Sequence, residues 1–305
     1  MASARSLDSL NERFGIPGAV RFEAGQGGLV RAAVTVPAAE AHVYLHGAHV
    51  THYRPAGHHA LLFLSERSHF VEGKAIRGGV PVIFPWFGAR AGDPTAPDHG
   101  FARTREWALE SVERSAVGSV AVTLSLEPDD ATRRMWPHDF RLRHRIVFGA
   151  RLEMALEVVN RSGEPFTFEE ALHTYLLVGD VRQASVTGLG AITYIDKTDE
   201  MKRKTLASEP LVLTRTTDRV FVDTRGPCAV SDPVLARRLV VDKDGSATTV
   251  VWNPWSDRAA TMADLGHDEW RSMLCLEAAN AADNALHLAG GQQHTMRVVI
   301  QVAAP

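Results

Sequence analysis

The sequence predicts an all-β chain, built as one large antiparallel β-sandwich with a few short helices. Three observations carry that expectation. Apolar and polar residues alternate with period two through the long segments, and helical patterning is confined to two short stretches. No repeat, low-complexity tract or composition break divides the 305 residues, so residues 1–305 are expected to form a single domain. A hydrophobic content of 45% suffices for a large core.

The elements follow in chain order. Leu7 to Phe14 reads as a short opening helix with Ser6 as its cap. Val120, Val122, Leu124 and Leu126 alternate with Thr123, Ser125 and Glu127, the pattern of a half-buried strand. Asp130 to Met135 reads as a second helix, stopped by Pro137. Phe140, Leu142, His144, Ile146 and Phe148 alternate with arginines, and Leu152, Met154, Leu156 and Val158 follow after a turn at Gly149-Ala150. Asp244-Gly245 predicts another hairpin, between Leu239-Val240-Val241 and Thr249-Val250-Val251-Trp252. Met296, Val298, Ile300 and Val302 make a last strand. Strands do not alternate with long amphipathic helices, which argues against a doubly wound fold.

Composition narrows the function classes. A formal net charge of -3 points to no nucleic-acid or membrane partner. Two cysteines, Cys228 and Cys275, are too few for a disulfide framework and fit a reducing compartment. The N-terminal residues contain no apolar stretch of signal-peptide length, and no run approaches the ~18 apolar residues of a membrane helix. A cytoplasmic location is therefore expected.

Four segments are unusual for plain strand or loop. The first runs from Ile76 to Gly88 and holds Arg77, the pair Gly78-Gly79, and Pro81 and Pro85 within an apolar run. Paired glycines permit close backbone approach. The second is His99-Gly100-Phe101-Ala102-Arg103. The third is Glu169 to Leu176; read as a strand, it puts Glu169, Ala171, His173 and Tyr175 on one face. A carboxylate at Glu169 would then favour a protonated His173 ring. The fourth is Met273 to Asn280, where Cys275 and Glu277 share a face and Leu274, Leu276 and Ala278 occupy the other. A carboxylate in so apolar a run needs partners or a task.

Each segment also has an ordinary reading. A histidine in a strand is commonly structural, Arg77 and Arg103 can pair with surface acids, and Gly78-Gly79 can be a bulge. The histidines between His42 and His69 lack any compact ligand spacing, so no metal is expected there.

Taken together, the segments resemble the hexose-6-phosphate mutarotase branch of the aldose 1-epimerase family. The matching pieces are Arg-Gly-Gly-Val-Pro-Val-Ile-Phe-Pro-Trp-Phe-Gly from Arg77, His-Gly-Phe-Ala-Arg from His99 and Ala-Leu-His-Thr-Tyr from Ala171. Val251-Trp252-Asn253-Pro254-Trp255 and Cys275-Leu276-Glu277 complete the set, in the family's order. The resemblance implies a galactose-mutarotase-like supersandwich, with no cofactor and no metal. It implies a small sugar phosphate as ligand, and a monomer is expected. His173 matches the catalytic histidine and would be the acid; Glu277 matches the catalytic glutamate and would be the base. Arg77 and Arg103 match substrate-binding arginines, His99 a second site histidine, and Asp218 a sugar-binding aspartate. Asp98 stands where the family pattern has glutamine. It only accepts hydrogen bonds and would repel a nearby phosphate.

Three rivals follow from the same residues: a noncatalytic sugar-binding protein, a mutarotase of unphosphorylated aldoses, and a glycosidase using Glu169 and Glu277 as a carboxylate pair. Phe84, Trp86 and Phe101 could pack on a sugar face or simply fill the core.

Overall fold

The computed structural model describes residues 4–303. Two large sheets dominate. The first has nine strands in the order Leu211–Val212, Ser185–Thr187, Cys228–Asp232, Arg237–Asp244, Gln293–Ala303, Leu152–Asn160, Phe140–Phe148, Val120–Leu126 and Ala108–Arg114. The second has eight: Lys202–Thr205, Thr193–Asp196, Thr217–Val222, Thr248–Asn253, Met273–Asn280, Glu170–Leu172 and Val82–Ile83 in order, with Tyr175–Leu177 also paired to Met273–Asn280. Neighbouring strands in both sheets run antiparallel. A smaller sheet joins Val20–Ala24, Val30–Val36, Ala39–Tyr44 and His49–Pro55 in sequence order.

The period-two pattern becomes the core. Phe140, Leu142, Ile146 and Phe148 are buried from one sheet, and Leu172, Leu176, Val251, Leu274, Leu276 and Ala278 from the other, in one continuous cluster. The second sheet is also covered on its far side, where Ile83, Ala171, Val220, Val250 and Ala279 pack together. Glu277 has the parity of Ala279, so it points to that far side. Burial on both faces explains why Met273–Asn280 reads as a nearly continuous apolar run.

The turn at Gly149-Ala150 links an antiparallel pair in which Phe148 faces Leu152, as expected. The helix Asp130–Met135 also forms; Asp129 caps it, and Thr132 completes a reciprocal capping box.

Two local expectations are corrected. The opening helix spans Ala4–Phe14, so Ser6 lies inside it and is not its cap. Asp244-Gly245 does not make a hairpin. Arg237–Asp244 belongs to the nine-stranded sheet and Thr248–Asn253 to the eight-stranded one, so the chain crosses between sheets here. Non-local bonds hold the crossover: Ala247 N–H donates to Asn280 Oδ1 at 2.9 Å, and Ser246 Oγ donates to Ala279 O at 2.8 Å. Gly245 has φ +70°, and a Cβ there would stand 2.2 Å from Thr295 O. Among the described residues no helix is long and apolar enough to cross a membrane.

Candidate active site

The site forms on the outer side of the eight-stranded sheet, where strand register brings distant residues together. Glu277 pairs with Val250, and Trp252 pairs with both Asp218 and Cys275. Even parity turns Asp218, Val250 and Trp252 towards the same side as Glu277. His173 lies between Glu170–Leu172 and Tyr175–Leu177, where the ladder is interrupted: His173 N–H donates to Pro81 O at 3.0 Å, and Leu276 N–H to Thr174 O at 3.1 Å. Leu172 pairs with Ala278 and Tyr175 with Cys275. Carried across the interruption, that register sets His173 opposite Glu277.

These residues open onto one cavity of about 310 Å³. Arg77, Asp98, His99, Arg103, His173, Asp218 and Glu277 all line it, and so do Phe87, Lys197, Trp252 and Arg258. All seven residues singled out in the sequence are therefore brought together.

At the floor, His173 Nε2 stands 3.3 Å from Glu277 Oε1. Both residues are buried, with 6% and 1% of their surface exposed. Burial pushes the Glu277 carboxyl well up, and nearby Asp218 adds to the rise. Burial likewise drives His173 well below the ordinary imidazole range, reinforced by the charges of Arg103 and Arg77. Each group is pressed towards its uncharged form. His173 Nδ1 and Glu277 Oε2 are both buried without hydrogen-bond partners.

This corrects the reading of Glu169. Its carboxylate accepts the backbone N–H groups of Phe87 at 2.8 Å and Ala282 at 2.7 Å, so it stiffens the cavity wall instead of facing His173. It does not line the cavity with Glu277 either, which removes the Glu169–Glu277 carboxylate pair. The imidazole's acidic neighbour is Glu277 itself, and His173 is pressed towards neutral, not protonated.

His99 reaches the cavity from a left-handed backbone, φ +64°. Its Nδ1 accepts Gly88 N–H at 3.2 Å, which assigns the ring proton to Nε2. Burial and the charge of Arg103 lower its proton affinity and keep the ring neutral. It packs edge-on to His173 at 5.5 Å.

The two arginines differ. Arg77 is already engaged: its guanidinium contacts Asp264 at 3.0 Å and donates to Tyr175 Oη at 2.9 Å. The Tyr175 ring in turn lies flat on His173, centroids 4.8 Å apart at 11°. Arg77 thus braces the histidine through tyrosine. Gly78 and Gly79 let this happen, since a Cβ on Gly79 would stand 2.3 Å from Val50 O. Arg103 donates through one terminal nitrogen to Asp98 O at 2.8 Å, while its buried Nε has no partner. Its fork has capacity left for an anion. Asp98 is exposed at the rim.

Lys197 and Arg258 carry no marker in the sequence. Lys197 Nζ lies 3.9 Å from Asp218 Oδ2 and sits over the Phe87 ring. Phe84 and Phe101 prove to be core residues, and Trp86 packs beside them with Nε1 donating to Pro97 O. The aromatic walls are Phe87 and Trp252 instead.

Known proteins share this architecture. The crystal structure of a putative mutarotase, YeaD, from Salmonella typhimurium superposes with a TM-score of 0.89 at 32% identity, covering 96% of each chain. A galactose mutarotase-like protein from Clostridium acetobutylicum, 14% identical, shares the fold with a TM-score of 0.75 over 94% of this chain and 98% of its own. The supersandwich expected from the sequence is therefore the fold observed. An Escherichia coli K12 protein named "Putative glucose-6-phosphate 1-epimerase" is 37% identical over 247 residues, 81% of this chain and 82% of its own. The family model for aldose 1-epimerase matches residues 34–301, a span that takes in every residue of the cavity. Fold, sequence and the residues around the cavity agree, and the chain belongs to the aldose 1-epimerase family.

Proposed function

We propose that this chain interconverts the α and β anomers of an aldohexose 6-phosphate, with glucose 6-phosphate as the leading substrate, and that His173 and Glu277 move the protons. The observation that carries the reading is the buried His173–Glu277 pair, 3.3 Å apart on the floor of a cavity rimmed by cations.

Ring opening requires that the proton on the anomeric O1 be removed while the ring O5 is protonated. Both oxygens are bonded to one carbon, so their proton partners must be close neighbours. Reclosure on the other face of the aldehyde, after rotation about C1–C2, reverses the transfers. With the carboxyl raised and the imidazole lowered by burial, His173 and Glu277 hold one proton between them. In the empty cavity burial places that proton on Glu277. A sugar O1–H donating to the carboxylate favours its ionised form, and the proton then passes to His173. Glu277 is now the base for O1–H and His173 the acid for O5. The partnerless Glu277 Oε2 is the free acceptor this step needs. His99, with its proton on Nε2, is placed to donate to the same oxygen or its neighbour.

Arg103 is the first candidate for the phosphate, because Arg77 is committed to Asp264 and Tyr175. Lys197 and Arg258 add positive charge on the same cavity. Asp218 and Asp98 accept from sugar hydroxyls. The relative's printed name supports the phosphorylated substrate. The two free, buried thiols agree with a cytoplasmic workplace.

The test is NMR exchange spectroscopy on glucose 6-phosphate anomers, with glucose and galactose as controls. Exchange accelerated for the phosphate ester and far less for the free sugars is the expected result. No acceleration for any of them would favour a noncatalytic sugar-binding protein.

A further inference from the structure

We propose that the cavity floor is also a binding site for one thiophilic divalent cation of the zinc class, held by His173, Cys275 and Glu277, and that the bound cation excludes the sugar. One ligand atom from each of these three residues lies within 4.8 Å of the other two, and all three residues are buried. Around tetrahedral zinc, with bonds of about 2.0 Å to nitrogen and oxygen and about 2.3 Å to sulfur, donor atoms stand roughly 3.3–3.8 Å apart. The three therefore close on an ion by small side-chain movements, and His173 Nε2 and Glu277 Oε1 are already at 3.3 Å.

Strand geometry builds the set. Cys275 and Glu277 are two residues apart on Met273–Asn280 and share a face, and His173 stands opposite Glu277. Cys275 is buried and does not line the cavity, so proton transfer to the sugar gives it no task. A second observation points to a ligand: Glu277 Oε2 is fully buried with no partner. The mixed sulfur, nitrogen and oxygen donors suit Zn²⁺ or Cd²⁺ and not Mg²⁺ or Ca²⁺.

Charge does not bar entry. The incoming M²⁺ displaces one proton from the Cys275 thiol and one from the Glu277 carboxyl, so two positive charges arrive as two leave. The cationic rim formed by Arg103 and Lys197 meets no net change. The remaining coordination position faces the cavity, where water completes the sphere. A ligating imidazole ordinarily donates from its other nitrogen, yet His173 Nδ1 has no partner. The site thus lacks outer support, which makes the cation an exchangeable inhibitor and not a resident structural ion.

The probe is Cd²⁺ added to the intact protein without sugar, followed by the ultraviolet thiolate-to-cadmium charge-transfer band. One equivalent should saturate it. Cys275→Ser should abolish the band, Cys228→Ser should leave it unchanged, and Glu277→Gln should weaken cadmium affinity by about 10- to 100-fold or more. Excess glucose 6-phosphate should suppress the band; this arm alone rests on the sugar-phosphate reading. No band in the unmodified protein, a band that survives Cys275→Ser, or one lost in Cys228→Ser overturns the proposal. Should Cys275→Ser fail to fold, the Glu277→Gln titration decides: unchanged affinity overturns it. A protein that binds cadmium in this way but exchanges no anomers would leave the metal site standing and remove the mutarotase reading.

Discussion

His173 and Glu277 are 104 residues apart in the chain, yet they face one another across two strands with Nε2 and Oε1 3.3 Å apart. Neither is paired by charge in the usual sense. Burial presses both towards neutrality, so the pair behaves as a single site that holds one proton. That property suits a reaction whose net proton change is zero.

The first prediction tests the pair. Glu277→Gln and His173→Asn should each reduce kcat by roughly 100- to 10,000-fold, the contribution of a positioned acid or base. Both should keep the native far-ultraviolet circular dichroism and a cooperative unfolding transition, because Gln matches Glu in size and Asn keeps a polar group where the imidazole stood. Anomer exchange at near-normal rate in either folded variant would remove that residue from the chemistry.

The second prediction concerns pH. The active form carries one proton on the pair. It is lost at low pH when His173 also protonates, and at high pH when the last proton leaves. His173 is lowered and Glu277 raised, so both limbs move outward from the ordinary values. The kcat/KM profile for free glucose, which reports the empty site, should therefore show no loss of activity as pH rises through about 6.5, the ordinary imidazole value. A lone imidazolium acid would instead lose activity as pH rises through that value, and such a profile would rule out the shared proton. Free glucose carries no phosphate, so no substrate ionisation enters its kcat/KM profile.

Much of this site was legible in the sequence, for a physical reason. Leu274, Leu276 and Ala278 define one buried face, so Glu277 stands out as a carboxylate on the other. The glycines after Arg77 betray a close backbone approach before any contact is known. What the sequence hid is what depends on pairing between distant strands. Nothing local tells that Glu169 turns to the amides of Phe87 and Ala282, or that Glu277 takes its expected place beside the imidazole. Lys197 reaches the cavity because its N–H donates to Asp218 O at 2.9 Å, a contact with no sequence motif. The same blindness made Asp244-Gly245 look like a hairpin, since a turn does not state which sheet the next strand will join.

The third prediction separates the arginines. Arg103→Gln should raise KM for glucose 6-phosphate at least about tenfold and leave the slower exchange of glucose nearly unchanged, since it removes a charged fork with an unused donor. Arg77→Ala should instead lower kcat on both sugars, because it releases Tyr175 from its 2.9 Å bond and loosens the ring stacked on His173. The two patterns are measured in one set of exchange spectra. A purely phosphate-dependent loss in Arg77→Ala would return that residue to direct anion binding.

The fourth prediction concerns stability away from the cavity. Glu170 is fully buried, and its Oε1 lies 3.2 Å from His294 Nε2 and accepts from Asn280 Nδ2 at 2.8 Å. Partial burial opposes charge on His294, but the Glu170 carboxylate outweighs it and holds the ring's proton affinity above its ordinary value. A group raised on folding stabilises the protein fully below its unfolded value near 6.5, and that contribution fades as pH rises through the folded value. His294→Gln cannot supply the cation at any pH. The difference in urea midpoint between the parent protein and His294→Gln should therefore be largest near about pH 5.5 and shrink by about pH 8.5. A difference that grows with pH would mean that His294 is neutral in the folded protein and that Glu170 is held by Asn280 alone.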